Sequence, residues 1–517
     1  MPASLGWCTG GCARRCRNPW KRVAGGTRPL RLMVGQICNL PTIAPHLPDP
    51  ARVLLALPLA GIPIPSSNIV SPVSSPHSES WRPKANRRAA NTSATACGSR
   101  TRCHRYAMLT NEEKRVVCYT GSDRPTLPPT VTADTPLEAL NLNWRERDLP
   151  ERERTKHVHR LHPYLGKFIP QLVEIFLRKY FRSGQTVLDP FVGSGTTLVQ
   201  ANELGINALG YDVSAFNVLL CGAKTAQYEP SKVRAELLDV LQRTKDATLS
   251  SCDAQLTFLP GPQGSSPTSS ETDNQYLTSW YHPQALRELL LYHHFVETGP
   301  YTYTNLLKIV LSRSARSARL TTHFDLDFPK RPQTEEYWCY KHSRMCSPTT
   351  EAMKFLERYT LDTIRRIADF ARVRTPANVT AYHQDARTAV FPLVDGVITS
   401  PPYVGLIDYH DQHAYAYHLL GLKDKRHWEI GPAANGSSEK AKAEYQQAVA
   451  EVFRRAIAAM PSGGRLIVVA ADKFGLYEAV ARLAGVEEEG VVQRHVNRRT
   501  GRRSTEFYES VFVWRKG

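Results

Sequence analysis

Residues 184–213, GQTVLDPFVGSGTTLVQANELGINALGYDV, constrain the fold of this chain more than any other stretch of its sequence. A β-branched and apolar run at residues 186–188 predicts a strand, and the glycine-rich turn FVGSG follows it. The apolar spacing over residues 196–204 predicts a helix that Gly205 closes, and a second predicted strand ends at Asp212. Strand, glycine-rich turn, helix, strand and acid in this order form one half of a nucleotide-binding α/β unit. No lysine follows the glycines, so the turn is not a Walker loop.

Another predicted strand, farther along the chain, ends abruptly at the sequence TSPPY, residues 399–403. Two consecutive prolines donate no backbone N–H and fix φ, so they end the sheet ladder and leave a stiff, extended segment. That segment would hold Ser400 and Tyr403 rigidly at the edge of the sheet. An ordinary exit from a strand into a loop is the alternative interpretation of the same residues.

The rest of the pattern predicts an α/β, doubly wound sheet that a long and mostly helical insert interrupts. Four helices are predicted within the insert, over residues 231–243, 283–295, 304–319 and 349–370, and another follows it from Tyr445 to Met460. We therefore divide the chain into a disordered N-terminal extension (1–107), a polar lead-in (108–150), the first part of the α/β domain (151–228), the helical insert (229–378) and the second part of the α/β domain (379–517).

The first 107 residues differ sharply in composition from the remainder. They contain 15 Lys and Arg against only Asp49 and Glu79, and so carry most of the net charge of +18. They show no sustained helical or strand period, which predicts disorder. The composition changes abruptly near Met108, and this supports the further hypothesis that residues 1–107 are not part of the native protein. Because the remainder is closer to neutral, total charge is weak support for nucleic-acid binding by the folded part.

The 11 cysteines are scattered, although Cys339 and Cys346 flank His342. No complete four-ligand spacing is present in the sequence, which argues against a structural zinc. A reducing, cytoplasmic location is the simplest expectation. The most apolar N-terminal run, residues 53–64, is too short to span a bilayer and contains two prolines, so no membrane association is expected.

Residues 308–332 of the insert carry several basic residues on a predicted helix and its exit. A solvated helix face and a phosphate-contacting surface are equally good interpretations of this pattern. The size and basic content of residues 229–378 also suggest a target-recognition region.

Together, DPFVGSGTT (189–197), TSPPY (399–403) and HPYLGKFIP (162–170) resemble motifs I, IV and X of the amino-methylating DNA methyltransferases, which use S-adenosylmethionine. The resemblance covers about residues 151–228 and 379–517 and implies a Rossmann-like methyltransferase sheet. It makes Asp212 the acid that holds the ribose and Asp385 the contact to the adenine ring. Lys167 would meet the methionine carboxylate, with an exposed lysine at the approach to a helix as the alternative interpretation. The implied cofactor site consists of Lys167, Asp189, Phe191, Gly193, Gly195, Thr196, Thr197, Asp212 and Asp385. One departure from the common layout is the position of the insert, between the two acids.

Within that family, the residue before Pro-Pro-Tyr indicates the target base. Ser400 is similar to the cytosine-N4 enzymes, whereas adenine-directed members generally carry Asp or Asn there. The resemblance thus implies a site-specific cytosine-N4 methyltransferase acting on double-stranded DNA in a prokaryotic, nucleoid-associated restriction–modification system with a cognate endonuclease. The alternatives are an adenine-N6 enzyme of the same fold and, less favoured, an RNA methyltransferase or a non-catalytic binding protein.

The chemistry explains why such an enzyme would use these residues. The exocyclic amine of cytosine is a poor nucleophile and is paired inside a duplex, so the base must be flipped out. Ser400 Oγ and the Pro401 carbonyl can accept the two amine hydrogens, Pro402 stiffens the geometry, and Tyr403 offers a face for stacking worth about 1–3 kcal/mol. Methyl transfer of this kind needs no metal and no covalent nucleophile.

The C-terminal sequence HVNRRTGRRS lies between two predicted strands and follows Arg494. A loop this basic is expected to grip DNA phosphates, with a solvated hairpin as the alternative. The residues predicted to bind DNA are Arg494, Arg498, Arg499, Arg502 and Arg503.

Overall fold

The computed structural model describes residues 124–253 except 167, residues 272–496 except 324 and 328, and residues 507–517. The predicted extension 1–107, the start of the lead-in and most of the basic C-terminal loop lie outside the described residues.

Nine strands and thirteen α-helices make up the regular structure of the described residues. The strands are β1 (Thr186–Asp189), β2 (Asn207–Asp212), β3 (Tyr337–Cys339), β4 (Arg344–Cys346), β5 (Val379–His383), β6 (Gly396–Thr399), β7 (Arg465–Ala470), β8 (Glu487–His495) and β9 (Tyr508–Arg515). The helices are α1 (Glu151–Arg154), α2 (Pro170–Tyr180), α3 (Thr196–Glu203), α4 (Ala215–Thr225), α5 (Pro230–Asp253), α6 (Gln275–Trp280), α7 (Pro283–Thr298), α8 (Thr304–Ala318), α9 (Met353–Ala371), α10 (Tyr409–Gln412), α11 (Ala414–Leu420), α12 (Glu439–Ala458) and α13 (Tyr477–Ala484).

Seven of these strands form one sheet in the order β5-β2-β1-β6-β7-β9-β8, and β3 and β4 form a separate hairpin. The first five strands of that order are mutually parallel, whereas β9 pairs antiparallel with both β7 and β8. The strand order changes direction at β1, which lies between β2 and β6. This is the predicted doubly wound α/β sheet, and its switch point is where such folds bind ligands.

The helices largely follow the prediction, with boundary differences that have local causes. Helix α12 begins at Glu439 rather than Tyr445, because the Ser438 side chain caps its first turn by accepting from the Ala441 N–H at 3.2 Å. Helix α2 begins with Pro170 as expected, since proline is pre-organised for the first helical position.

The sheet is covered on both faces, and the helical insert shares its core with the α/β domain. One hydrophobic cluster joins Phe216 and Leu220 of α4 to buried side chains of α5, α7, α8 and α9, among them Leu237, Leu289 and Ile309. Two further clusters flank the central strands. The insert therefore packs directly on the α/β layer.

Two arginines of the basic stretch 308–332 fit neither interpretation that the sequence left open, whereas Lys330 and Arg331 of the same stretch are exposed. Arg313 and Arg319 are 7% and 3% exposed, so they line neither a solvated face nor a phosphate-contacting surface. Arg313 pairs with Asp362 at 2.7 Å, and the Arg319 guanidinium lies over the Tyr415 ring. These cations hold α8 to its neighbours. Within the described part of the chain, no helix is both long and apolar enough to cross a bilayer.

Candidate active site

A pocket opens at the carboxyl ends of the parallel strands, where the strand order reverses. The turn after β1 contributes Phe191 and Gly193, β2 ends there in Asp212, and Asp385 and Ser400 follow β5 and β6. The fold thus brings together the predicted cofactor turn and the predicted catalytic loop. The pocket also includes Thr196 and Pro402 of the predicted set.

The two glycines of the turn serve different contacts. Gly193 has φ 46°, and its N–H donates to Asp212 Oδ2 at 2.9 Å inside the pocket. Gly195 has φ 78°, and a Cβ there would lie 2.6 Å from Cys221 Sγ on α4. Gly195 is therefore required for the packing of α3 on α4.

Asp212 is fixed by three donors at the pocket wall. Besides Gly193, the Asn217 side chain donates to Oδ2 at 3.1 Å and the Ser214 N–H donates to Oδ1 at 2.8 Å. Burial raises the pKa of Asp212 to about 6, and these donors limit the rise. Its orientation suits a partner with hydroxyl or ammonium hydrogens.

Asp189 ties the cofactor turn to the catalytic loop. It is fully buried; Thr197 Oγ1 donates to its Oδ2 at 2.6 Å and Thr399 Oγ1 donates to its Oδ1 at 2.6 Å. Burial raises the pKa of Asp189 to about 6. Asp189 and Thr197 are fully buried and are not among the residues that line the pocket, and their contact with the cofactor stays a prediction.

The last two residues of the SPPY segment are held by buried partners. The Tyr445 hydroxyl donates to the Pro402 carbonyl at 2.9 Å, and the Tyr403 hydroxyl donates to Glu509 Oε1 of β9 at 3.0 Å. Burial, reinforced by the Glu509 carboxylate, raises the pKa of Tyr403 well above its ordinary value. Pro401 is buried, and Ser400 is partly exposed in the pocket.

Arg494 does not belong to an exposed basic loop. It is 6% exposed within β8, its Nε lies 3.3 Å from Glu509 Oε2, and its guanidinium lies over the Trp144 ring. Its predicted contact with phosphate is incompatible with this position, because the side chain is buried against the carboxylate that holds Tyr403. The other four predicted DNA-binding arginines, Arg498, Arg499, Arg502 and Arg503, lie outside the described residues.

Asp385 lies at the pocket but its carboxylate is already engaged. Arg387 donates to the Asp385 carboxylate through Nε at 3.0 Å, through Nη2 at 2.7 Å and through its backbone N–H at 2.9 Å. Arg387 also donates to the Trp428 carbonyl at 3.1 Å. The pair fixes the part of the pocket wall that follows β5, the neighbour of the strand that ends in Asp212.

Three further residues of the pocket were not predicted. Tyr164 stacks on Tyr409 with ring centroids 5.8 Å apart, and it accepts a hydrogen bond from Asn217. Tyr164 falls inside the HPYLGKFIP motif, so that motif could have identified it. Glu429 and Tyr409 lie in a sequence without a recognisable pattern, and no signal in the sequence points to them. Lys167 lies outside the described residues.

The donor and acceptor groups of the pocket fit S-adenosylmethionine. The Glu429 side chain is 6% exposed, and its Oε2 has no hydrogen-bond partner among the described residues. A buried carboxylate oxygen without a donor is costly, and a ribose hydroxyl or an ammonium group would satisfy it. Together with Asp212 and the aromatic walls, Glu429 suits a cationic nucleoside ligand.

The fold and this site together define an S-adenosylmethionine-dependent methyltransferase. A family model described as DNA methylase matches residues 97–220. The type II methyltransferase M.MjaII of Methanocaldococcus jannaschii is 35% identical over 430 residues, which cover 70% of this chain and 81% of the relative. M.BsoBI of Geobacillus stearothermophilus, also a type II methyltransferase, is 21% identical over 323 residues, which cover 57% of this chain and 58% of the relative.

Among solved structures, the rRNA methyltransferase aviRa of Streptomyces viridochromogenes aligns with a TM-score of 0.28 and 13% identity, over 72% of this chain and 96% of that chain. A similarity that low carries no argument about function. The family model and the sequence relatives show the family. This chain belongs to the amino-methylating DNA methyltransferases, and its methyl donor is S-adenosylmethionine.

Proposed function

We propose that this protein is a site-specific DNA methyltransferase that methylates the exocyclic N4 of a flipped cytosine. The observation that carries the proposal is Ser400, which lines the same pocket as Gly193 and Asp212 and stands directly before Pro-Pro-Tyr. A serine offers a hydroxyl acceptor, in contrast to the carboxylate or amide oxygen of the Asp or Asn that adenine-directed members generally carry.

Each residue of the loop has a distinct part in this proposal. Ser400 Oγ and the Pro401 carbonyl accept the two amine hydrogens, which directs the nitrogen lone pair toward the methyl group. Tyr403 presents its ring to the flipped base. S-adenosylmethionine supplies an electrophilic methyl group when bound. Asp212, Glu429 and Tyr164 orient the donor from the opposite wall.

The rate advantage would come mainly from positioning. A poor nucleophile reacts faster when the reacting atoms are held in line, and small misplacements cost on the order of 10²-fold. Asp189 restrains Thr399, Tyr445 restrains the Pro402 carbonyl, and Glu509 restrains Tyr403. Three buried restraints on five consecutive residues support a pre-organised catalytic loop.

The biological setting is part of the same proposal. The named relatives are type II methyltransferases, which supports a restriction–modification system with double-stranded DNA as substrate and a cognate endonuclease. The helical insert, residues 229–378, is proposed to contribute to target recognition because it packs beside the pocket layer through α4.

The deciding experiment is methylation of plasmid DNA with labelled S-adenosylmethionine, followed by digestion to nucleosides and mass spectrometry. We expect N4-methylcytosine. N6-methyladenine would retain the enzyme class and overturn the assignment of Ser400, and label in RNA but not in DNA would overturn the DNA substrate. A complete absence of transfer by folded protein would favour a binding-only role.

Ser400→Ala separates the role of the hydroxyl from the role of the fold. Loss of one productive hydrogen bond predicts a fall in kcat of about tenfold or more, equivalent to about 1.4 kcal/mol, with unchanged affinity for S-adenosylmethionine. Ser462→Ala is the matched control, because Ser462 is exposed in the turn before β7. Equal rates for the two variants would contradict the proposed role.

A further inference from the structure

We propose that the insert contains a structural zinc site formed by His323, Cys339, His342 and Cys346. The candidate ligand atoms of these four residues all lie within 4.8 Å of one another. Two thiolates and two imidazoles are a donor set that selects Zn²⁺ in tetrahedral geometry. The site lies in the β3–β4 hairpin, away from the residues of the methyltransferase pocket.

The spacing between the ligand atoms matches a tetrahedral metal. Cys339 Sγ lies 3.6 Å from the Nδ1 atoms of both His323 and His342, and Cys346 Sγ lies 3.5 Å from His342 Nδ1. With Zn–S of about 2.3 Å and Zn–N of about 2.0–2.1 Å, the S···N edge of a tetrahedron is about 3.6 Å. The three S···N distances therefore agree with the edges of a tetrahedron around one bound ion.

The hairpin backbone brings three of the ligands together. Strands β3 and β4 pair antiparallel with Tyr337 opposite Cys346, and the turn between them contains His342. Ser343 has φ 51°, an uncommon conformation for a residue that is not glycine, and the His342 N–H donates to the Cys339 carbonyl at 3.1 Å. This tight turn directs His342 toward both sulfur atoms.

The fourth ligand comes from the segment after α8. His323 Nδ1 also lies 3.0 Å from the Tyr337 hydroxyl, and that hydroxyl accepts from the His323 backbone N–H at 3.0 Å. The bond from the His323 backbone N–H to Tyr337 thus fixes this segment beside the hairpin, and zinc would replace the contact of the hydroxyl with Nδ1, because that nitrogen has a single lone pair. The argument against zinc from the sequence rested on the lack of a fourth ligand, and the fold supplies one.

The hairpin has little else to stabilise it. Cys339 and Cys346 are buried, yet neither belongs to any of the three hydrophobic clusters of the described residues. Trp338 is 52% exposed and Tyr340 is 83% exposed. A two-stranded hairpin with three-residue strands is at best marginally stable in water. A metal with four protein ligands provides the missing cross-link, as in other small closed zinc sites.

The test uses the full chain, expressed with added zinc and purified without chelators. Metal content is measured by inductively coupled plasma mass spectrometry for the wild type, His323→Ala, Cys339→Ser and Cys346→Ser. We expect each variant to lose one zinc per chain relative to the wild type. Tyr340→Ala is the control, since Tyr340 lies in the same hairpin and offers no ligand. The comparison with variants is needed because Cys8, Cys12 and Cys16 could also bind metal.

A second measurement keeps the proposal testable if the variants fold poorly. Wild-type protein is alkylated with and without EDTA, and the modified cysteines are mapped by mass spectrometry. We expect Cys339 and Cys346 to be protected until EDTA is added. Equal alkylation in both conditions, unchanged zinc in the three ligand variants, or a Cys339–Cys346 disulfide in protein isolated without reductant would each overturn the site.

Discussion

A fully buried aspartate beside the active-site pocket, Asp189, and a partly buried aspartate of the helical insert, Asp362, are held in opposite ways. Asp189 is surrounded by neutral donors, and burial raises its pKa to about 6. Asp362 is also affected by burial, but hydrogen bonds from Arg313 and Arg366 outweigh it and lower its pKa to about 2. The same residue type therefore titrates on opposite sides of its ordinary value.

The difference shows what each region requires. In the insert, the Arg313–Asp362 pair joins α8 to α9 and the Arg366–Asp362 pair lies within α9, and the contribution of both pairs depends on charge. In the active site, neutral hydroxyl donors fix the predicted catalytic loop through short, directional hydrogen bonds. The Asp362 pairs therefore stabilise the insert through charge, whereas Asp189 holds Thr197 and Thr399 in place through hydrogen bonds.

The largest effect on stability is expected from Asp362→Ala. The substitution leaves the Arg313 guanidinium, whose side chain is 9% exposed, without its carboxylate partner. Loss of one partner of such a pair predicts a decrease of about 3 kcal/mol in the free energy of unfolding. Urea denaturation followed by circular dichroism measures the change.

Asp369→Ala is the matched control on the same helix. The Asp369–Arg372 pair is solvent-exposed at 3.4 Å, so its loss should change the free energy of unfolding by less than about 1 kcal/mol. If the two substitutions cost the same, the pair of Asp362 with Arg313 contributes no more than a surface ion pair.

A somewhat smaller loss of stability, but a much larger loss of activity, is expected from Asp189→Ala. The Thr197 and Thr399 hydroxyls would lose their buried acceptor, which predicts a decrease of about 2 kcal/mol in the free energy of unfolding. Displacement of Thr399 moves the neighbouring Ser400, so kcat should fall on the order of 10²-fold. Single-turnover methylation by the folded variant measures this decrease in the rate of methyl transfer.

Asp189→Asn sharpens this test, because the amide retains one acceptor oxygen of similar shape. We expect it to keep more of both stability and activity than Asp189→Ala does. Full activity of folded Asp189→Ala would show that the Thr399 hydrogen bond does not position the loop.

The smallest expected effect is the pH dependence, which has opposite signs at the two sites. Asp362 has a lowered pKa, so its contribution to stability is present above its ordinary value of 3.8 and is lost as the pH falls toward 2. Asp189 has a raised pKa, so the folded state binds its proton more tightly, and stability falls as the pH rises from about 4 to about 6.

Urea midpoints of the wild type, Asp362→Asn and Asp189→Asn at pH 3, 5 and 7 separate the two signs. The difference in urea midpoint between the wild type and each variant is needed because Asp212 has a pKa of about 6, as Asp189 does. If the difference in urea midpoint between the wild type and the variant changes with pH in the same direction for both sites, the contrast between the two regions is wrong.

The sequence predicted the elements whose signal is local. The strand–turn–helix–strand unit and the doubly wound sheet follow from periodicity, glycine and proline, since these act within a few residues. The meeting of the glycine turn with the TSPPY loop is what the family resemblance implies. Phe191, Gly193, Thr196, Asp212, Asp385, Ser400 and Pro402 all lie at the pocket as expected.

Only the tertiary structure decided which side chains face one another across long sequence separations. Asp189 bonds to Thr399, Tyr403 to Glu509, and Arg494 lies buried against Glu509 instead of facing DNA. The Cys–His cluster likewise depends on His323, which precedes the hairpin and has no spacing signature of its own. Chain pattern specifies helices, strands and turns because their hydrogen bonds are local, whereas the partner of a buried polar group is set by packing between elements distant in sequence.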